Sequence, residues 1–160
     1  MFFTGFFSPR GLILCFRLCI LSAMDDQELM QAALKARQFA QAPYSGFAVG
    51  AALLCKSGRI YTGCNIESSS FGLSLCAERT ALAKALSEGE LEFARLAVVA
   101  KGLAPVKPCG ACLQLLWDYA PNLELVLGNL DGQSERTSLT KLLPSPFSAG
   151  DLPRGVKRPV

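Results

Sequence analysis

The segments Leu75-Cys76-Ala77-Glu78 and Pro108-Cys109-Gly110-Ala111-Cys112 constrain this chain more than any other feature, because a fold that uses both must bring them to one point. A C-x-x-C unit offers two soft ligands from one turn. A third cysteine then fills three corners of a tetrahedral Zn²⁺ site and leaves the fourth for water, which is the arrangement of a catalytic rather than a structural ion. Cys76, Cys109 and Cys112 are the candidate metal ligands. Glu78 follows the first of them by two residues, so the backbone that delivers the sulfur also delivers a carboxylate, the candidate catalytic proton carrier. The chain contains no histidine, which removes Ser-His and Cys-His nucleophile pairs and imidazole metal sites together.

The 160 residues are 51% hydrophobic and 18% charged, a composition that fills one globular core. A net charge of +3 is small, and its basic residues are scattered apart from Arg154, Lys157 and Arg158. No nucleic-acid partner is expected. Seven cysteines, three of them at ligand spacing, point to a reducing compartment where thiolates persist, and hence to the cytoplasm. Residues 1–23 hold two short apolar runs interrupted by Arg17, too short to span a bilayer. They are expected to be a non-native or disordered extension, with Met24 as the start, and no membrane partner is expected. The active domain is placed at 24–152, with a loose tail over 153–160.

Apolar spacing predicts an amphipathic helix from Asp25 to Ala42, capped by Asp25 or Asp26 and stopped by Pro43. Phe47–Cys55 and Arg59–Asn65 flank Lys56-Ser57-Gly58, the length and composition of a hairpin turn. Helices are predicted over Ala77–Ser87 and Cys109–Tyr119, strands over Leu96–Ala100 (central), Leu123–Leu127 and Glu135–Ser138, and one helical turn near 139–143. That order gives an α/β fold: a three-layer α/β/α arrangement around a five-stranded mixed sheet. Both ligand segments then sit at helix N-termini, where the dipole and unpaired N–H groups favour thiolate.

Blander readings exist for each residue. Cys64 or Cys55 as a fourth thiolate would close the ion into a structural staple. Glu78 alone is a first-turn helix acid, Asn65 and Glu67 are turn residues, and Phe47 and Phe147 are core aromatics. Cys15, Cys19 and Cys55 are incidental thiols.

The stretches Pro43-Tyr44-Ser45-Gly46-Phe47-Ala48-Val49-Gly50-Ala51-Ala52-Leu53, Thr62-Gly63-Cys64-Asn65-Ile66-Glu67, Leu75-Cys76-Ala77-Glu78-Arg79-Thr80-Ala81, Lys107-Pro108-Cys109-Gly110-Ala111-Cys112 and Leu142-Leu143-Pro144-Ser145-Pro146-Phe147 together resemble the small cytidine deaminases over about residues 26 to 152. The resemblance implies a cytidine-deaminase-like fold, zinc on the three cysteines, and Glu78 as the acid and base in hydrolytic deamination of cytidine and 2′-deoxycytidine. It implies that Asn65 and Glu67 bind sugar hydroxyls, that Phe47 and Ala77 face the pyrimidine, and that Phe147 reaches a neighbouring subunit's site in a homotetramer. The family commonly has Arg after the second cysteine of the pair. Here that residue is Leu113, so charge compensation at the metal is expected to rest on Arg79. Rival readings are deamination of a cytosine-bearing antibiotic such as blasticidin, deamination of a base in nucleic acid, and a zinc-stabilised binding module without catalysis.

Overall fold

A computed structural model describes residues 25–152. The expectations for residues 1–23 and for the 153–160 tail with its basic cluster lie outside the described residues. In chain order the elements are α1 (Asp26–Arg37), β1 (Val49–Cys55), β2 (Ile60–Cys64), α2 (Ala77–Ser87), β3 (Phe93–Ala100), α3 (Gly110–Tyr119), β4 (Glu124–Asn129), β5 (Ser134–Ser138) and α4 (Leu139–Leu142).

The sheet order is β2-β1-β3-β4-β5. β1 pairs antiparallel with β2 and β3, β3 runs parallel to β4, and β5 closes the sheet antiparallel to β4. The run Leu96–Ala100 lies in the central strand, which begins three residues earlier than its apolar core because Phe93 still pairs with Cys55. The hairpin turn uses Gly58 at φ 90°, a backbone conformation that L side chains rarely adopt.

Alternation along the strands divides the core into two layers. Leu29 and Ala33 of α1 pack on Ala52, Leu54, Ala97, Val99 and Val126 on one face of the sheet. Ala81 and Leu82 of α2 and Leu113 and Leu116 of α3 pack on Leu53, Leu96, Val98 and Leu125 on the other. With both faces covered, β1 is buried along nearly its whole length, which explains why its sequence reads as a continuous apolar run.

Two details of α1 depart from expectation. The helix ends at Arg37, five residues short of Ala42, because Gln41 is drawn into a bridge with Ile66: the Gln41 N–H donates to the Asn65 carbonyl at 2.9 Å and the Glu67 N–H to the Gln41 carbonyl at 2.8 Å. Neither aspartate caps the helix through its side chain. Asp25 holds the N-cap position without such a bond, while the Asp26 carboxylate accepts from Arg95 at 2.7 Å and from Arg136 at 2.6 Å, tying α1 to β3 and β5.

Because β2 and β3 run in the same direction, their carboxyl ends and the first residues of β1 share one end of the sheet. The loops that leave this end lead into α2 and α3, so two ligand segments distant in sequence meet there, as ligands do outside the carboxyl ends of α/β sheets. The approach of α2 depends on Gly63 in β2. A Cβ at that position would sit 2.3 Å from the Ala77 carbonyl and 2.5 Å from the Ala81 amide nitrogen. Gly63→Ala is therefore expected to cost about 1–3 kcal/mol by overpacking, read as a lowered urea midpoint. It is also expected to lower zinc occupancy, because the backbone it displaces carries Cys76. An unchanged midpoint would show that α2 has slack at this contact.

Candidate active site

Cys76 is the N-cap residue of α2 and Cys109 that of α3, with Cys112 in the first turn behind it. The Cys76 and Cys109 sulfurs are 3.9 Å apart and those of Cys109 and Cys112 3.5 Å. All three Sγ atoms lie within 4.8 Å of one another. Thiolates at about 2.3 Å from one tetrahedral ion are about 3.8 Å apart, so the cluster fits Zn²⁺ in both donor type and spacing. Cys55 and Cys64 are outside this group. The closed four-thiolate reading therefore has no fourth sulfur among the described residues.

The sulfurs differ electrostatically. Hydrogen bonding from Cys112, helped by the charge of Arg79, brings the Cys76 thiol down to about 5. Its role as donor to Cys76, together with burial, pushes Cys112 up. Metal binding requires these thiols to be deprotonated, so a dication entering the cluster releases protons. Arg79 donates from Nη2 to the Ser74 carbonyl at 2.8 Å and to the Cys76 sulfur at 3.5 Å. Leu113 is packed into the core beside Leu116, so positive charge reaches the sulfur cluster from Arg79 rather than from the residue after Cys112.

Glu78, 4% exposed, is one of three buried polar or charged side chains among the described residues. Burial pushes its carboxyl above the usual carboxylate range, the environment of a group that holds and releases a proton. It lines a cavity of about 250 Å³ together with Phe47, Asn65, Glu67, Ala77 and Cys109. Its size sits just under the roughly 300 Å³ lower bound for drug-sized ligands. A larger cleft of about 510 Å³ lies on the opposite face of the sheet, against Met30 and Leu34 of α1. It contains none of the clustered cysteines, and the chemistry belongs to the smaller cavity.

The structure thus gathers Phe47, Asn65, Glu67, Cys76, Ala77, Glu78 and Cys109 around one space, with Cys112 beneath it. Phe147 is elsewhere. Its ring is 58% exposed and does not line this cavity, while its backbone is held by Gln114, which donates to the Phe147 carbonyl at 2.8 Å and accepts from its N–H at 3.1 Å. Asn65 and Glu67 also have work within the protein. Asn65 accepts from the Val49 N–H at 2.8 Å and donates to the Phe47 carbonyl at 2.9 Å. Glu67 accepts from the Tyr44 N–H at 2.8 Å, the Ser45 N–H at 3.1 Å and the Ser45 hydroxyl. Ser45, Val98, Val106 and Lys107 also line the cavity. Ser45 and Lys107 lie inside motifs legible in the sequence, but nothing local in those motifs says that they face a ligand.

A mixed sheet that clusters three cysteine sulfurs beside a cavity lined by a buried carboxylate has the makings of a zinc-dependent deaminase. Residues 23–124 match the family described as the cytidine and deoxycytidylate deaminase zinc-binding region. Over 130 residues, 81% of this chain, the sequence is 48% identical to a cytidine deaminase of Halalkalibacterium halodurans, of which 98% is covered. It is 49% identical over 130 residues, again 81% of this chain, to that of Sporosarcina psychrophila, of which 96% is covered. The fold superposes on the crystal structure of cytidine deaminase from Burkholderia pseudomallei with a TM-score of 0.76 and 48% identity, covering 78% of this chain and 100% of that one. The chain belongs to the cytidine deaminase family.

Proposed function

We propose that the protein hydrolyses cytidine and 2′-deoxycytidine to uridine and 2′-deoxyuridine with release of ammonia, serving pyrimidine salvage in the cytoplasm as a homotetramer. The observation that carries this reading is a cluster of three ligand-spaced sulfurs, two of which line one cavity with a buried carboxylate. Cys76, Cys109 and Cys112 would hold zinc, which when bound would supply Lewis acidity for activating water.

The remaining work falls to the chain. Glu78 takes the proton of the attacking water on its carboxylate, passes it to N3 of the cytosine ring, and assists the transfer that frees the exocyclic nitrogen as ammonia. Arg79 holds Cys76 as thiolate. Phe47 presents an aromatic face to the base and Ala77 packs against it, while Asn65 and Glu67 face the sugar hydroxyls. Stacking of this kind contributes about 1–3 kcal/mol per base.

The assembly has its own support. Tyr44 and Phe71 meet edge to face with centroids 6.0 Å apart, and both remain exposed, as do Leu73 and Leu75. Exposed apolar side chains of this kind are what a second copy covers. Among the described residues no helix is long and apolar enough to cross a membrane.

Ultraviolet absorbance of cytidine incubated with zinc-loaded protein tests the activity. Conversion to uridine at a rate proportional to enzyme is expected. Unchanged spectra for both cytidine and deoxycytidine would overturn the reading.

A further inference from the structure

The segment that carries Phe47 has little packing of its own: Tyr44, Ser45, Gly46 and Phe47 are all exposed. What places it is a set of hydrogen bonds to the chain leaving β2. One side chain links the two halves of that set. The Ser45 hydroxyl donates to Glu67 Oε1 and at the same time accepts from the Phe47 N–H at 3.0 Å. The Ser45 backbone N–H meets the other carboxylate oxygen of Glu67 at 3.1 Å. Gly46, at φ 66°, makes the turn between them tight enough for one hydroxyl to reach both partners.

We propose that Ser45 is a positioning residue for the sugar subsite, its hydroxyl fixing the Glu67 carboxylate relative to the Phe47 wall as a nucleoside with its sugar at the one and its base at the other requires. The inference rests on the reading of the cavity as a nucleoside site and adds to it a residue whose part is to orient others. Glu67 Oε2 is occupied by two backbone N–H groups. Only Oε1 has capacity left for a ligand hydroxyl, and its direction is set by the serine. Without the hydroxyl, Glu67 stays anchored at Oε2 alone, Oε1 can swing about an intrinsically broad terminal torsion, and the Phe47 N–H loses its acceptor. The same contact is the leading reason that the Glu67 carboxyl lies below the usual carboxylate range.

The test compares Ser45→Ala and Ser45→Thr with the parent protein on cytidine and on 2′,3′-dideoxycytidine, which lacks the 2′- and 3′-hydroxyls and keeps the 5′-hydroxyl. Ser45→Ala is expected to raise KM for cytidine about ten-fold, the size of one lost charge-assisted hydrogen bond, with kcat little changed. The KM for the dideoxy nucleoside, which meets Phe47 through its base but has no hydroxyl for Glu67, should rise clearly less than that for cytidine, and Ser45→Thr, which keeps the hydroxyl, should restore the cytidine KM. In parallel, carbon-13 NMR titration of Glu67 should show its pKa rising in Ser45→Ala and returning in Ser45→Thr. Equal KM changes for both nucleosides, no change for either, or no rescue by threonine would overturn the proposal. If the parent protein turns over neither nucleoside, the reading of the site fails on its own. The titration then decides the serine's role, a Glu67 pKa unmoved by Ser45→Ala ruling it out.

Discussion

Cys112→Ala is expected to empty the metal site and abolish turnover together. Cys112 is fully buried in the first turn of α3, 3.5 Å from Cys109, and its removal leaves two sulfurs where the spacing suits three. Loss of an outer partner of a metal ligand already costs 10- to 100-fold in affinity, and loss of a soft donor itself exceeds that. Zinc measured by atomic absorption after dialysis should fall from about one ion per chain to background, with cytidine turnover at background too. Alanine is smaller than cysteine and fits the same space, so the far-ultraviolet circular dichroism should keep its shape. The melting temperature should fall toward that of chelator-treated parent protein, because metal binding free energy is also folding free energy. Retention of stoichiometric zinc would show that the ion, if bound, is held elsewhere.

Glu78→Gln separates the proposed proton carrier from the metal. The amide has the shape of the carboxylate and can keep the first turn of α2 in place, yet it cannot accept and return a proton. The variant should bind zinc at the parent stoichiometry while kcat for cytidine falls by about 10² to 10⁴, the range of general acid–base catalysis. KM should change little, since Asn65 and Glu67, the residues proposed to hold the sugar, line the same cavity and are left intact. A kcat within ten-fold of the parent value would remove Glu78 from the proton path and leave the open metal position as the sole source of rate.

The parts of the molecule that were legible in its sequence are those fixed by local chemistry. The helix beginning at Ala77 and the one beginning beside Cys109 follow from apolar periodicity and from loop residues before them, and the hairpin follows from Lys56-Ser57-Gly58. Cysteine spacing announces a metal site because few other functions need C-x-E and C-x-x-C in one histidine-free chain. Pairings over long sequence distances were not legible. The early end of α1 is set by a bridge from Gln41 to the strand exit at Ile66, and periodicity in residues 38 to 42 carries no trace of that partner. Asp26 reads as a cap until Arg95 and Arg136 arrive from elements 69 and 110 residues away. Asn65 and Glu67 are similar: their spacing suggests a turn, their family pattern suggests sugar contact, and only the coordinates reveal that both also brace the Phe47 segment. The central strand's extension to Phe93 has the same origin, a neighbour rather than a local preference.

The outermost strand β5 has a consequence for how copies of this protein meet. Its residues, Ser134-Glu135-Arg136-Thr137-Ser138, are polar throughout, and the first three are exposed. A strand of another chain adding to this edge would have to lie beside Glu135 and Arg136, and it would disturb the guanidinium that reaches back to Asp26. Charged edges of this kind discourage sheets from growing from one molecule into the next. Growth of the sheet from one molecule into the next is therefore opposed at this edge, and a surface for self-association should be sought in loops and helices instead.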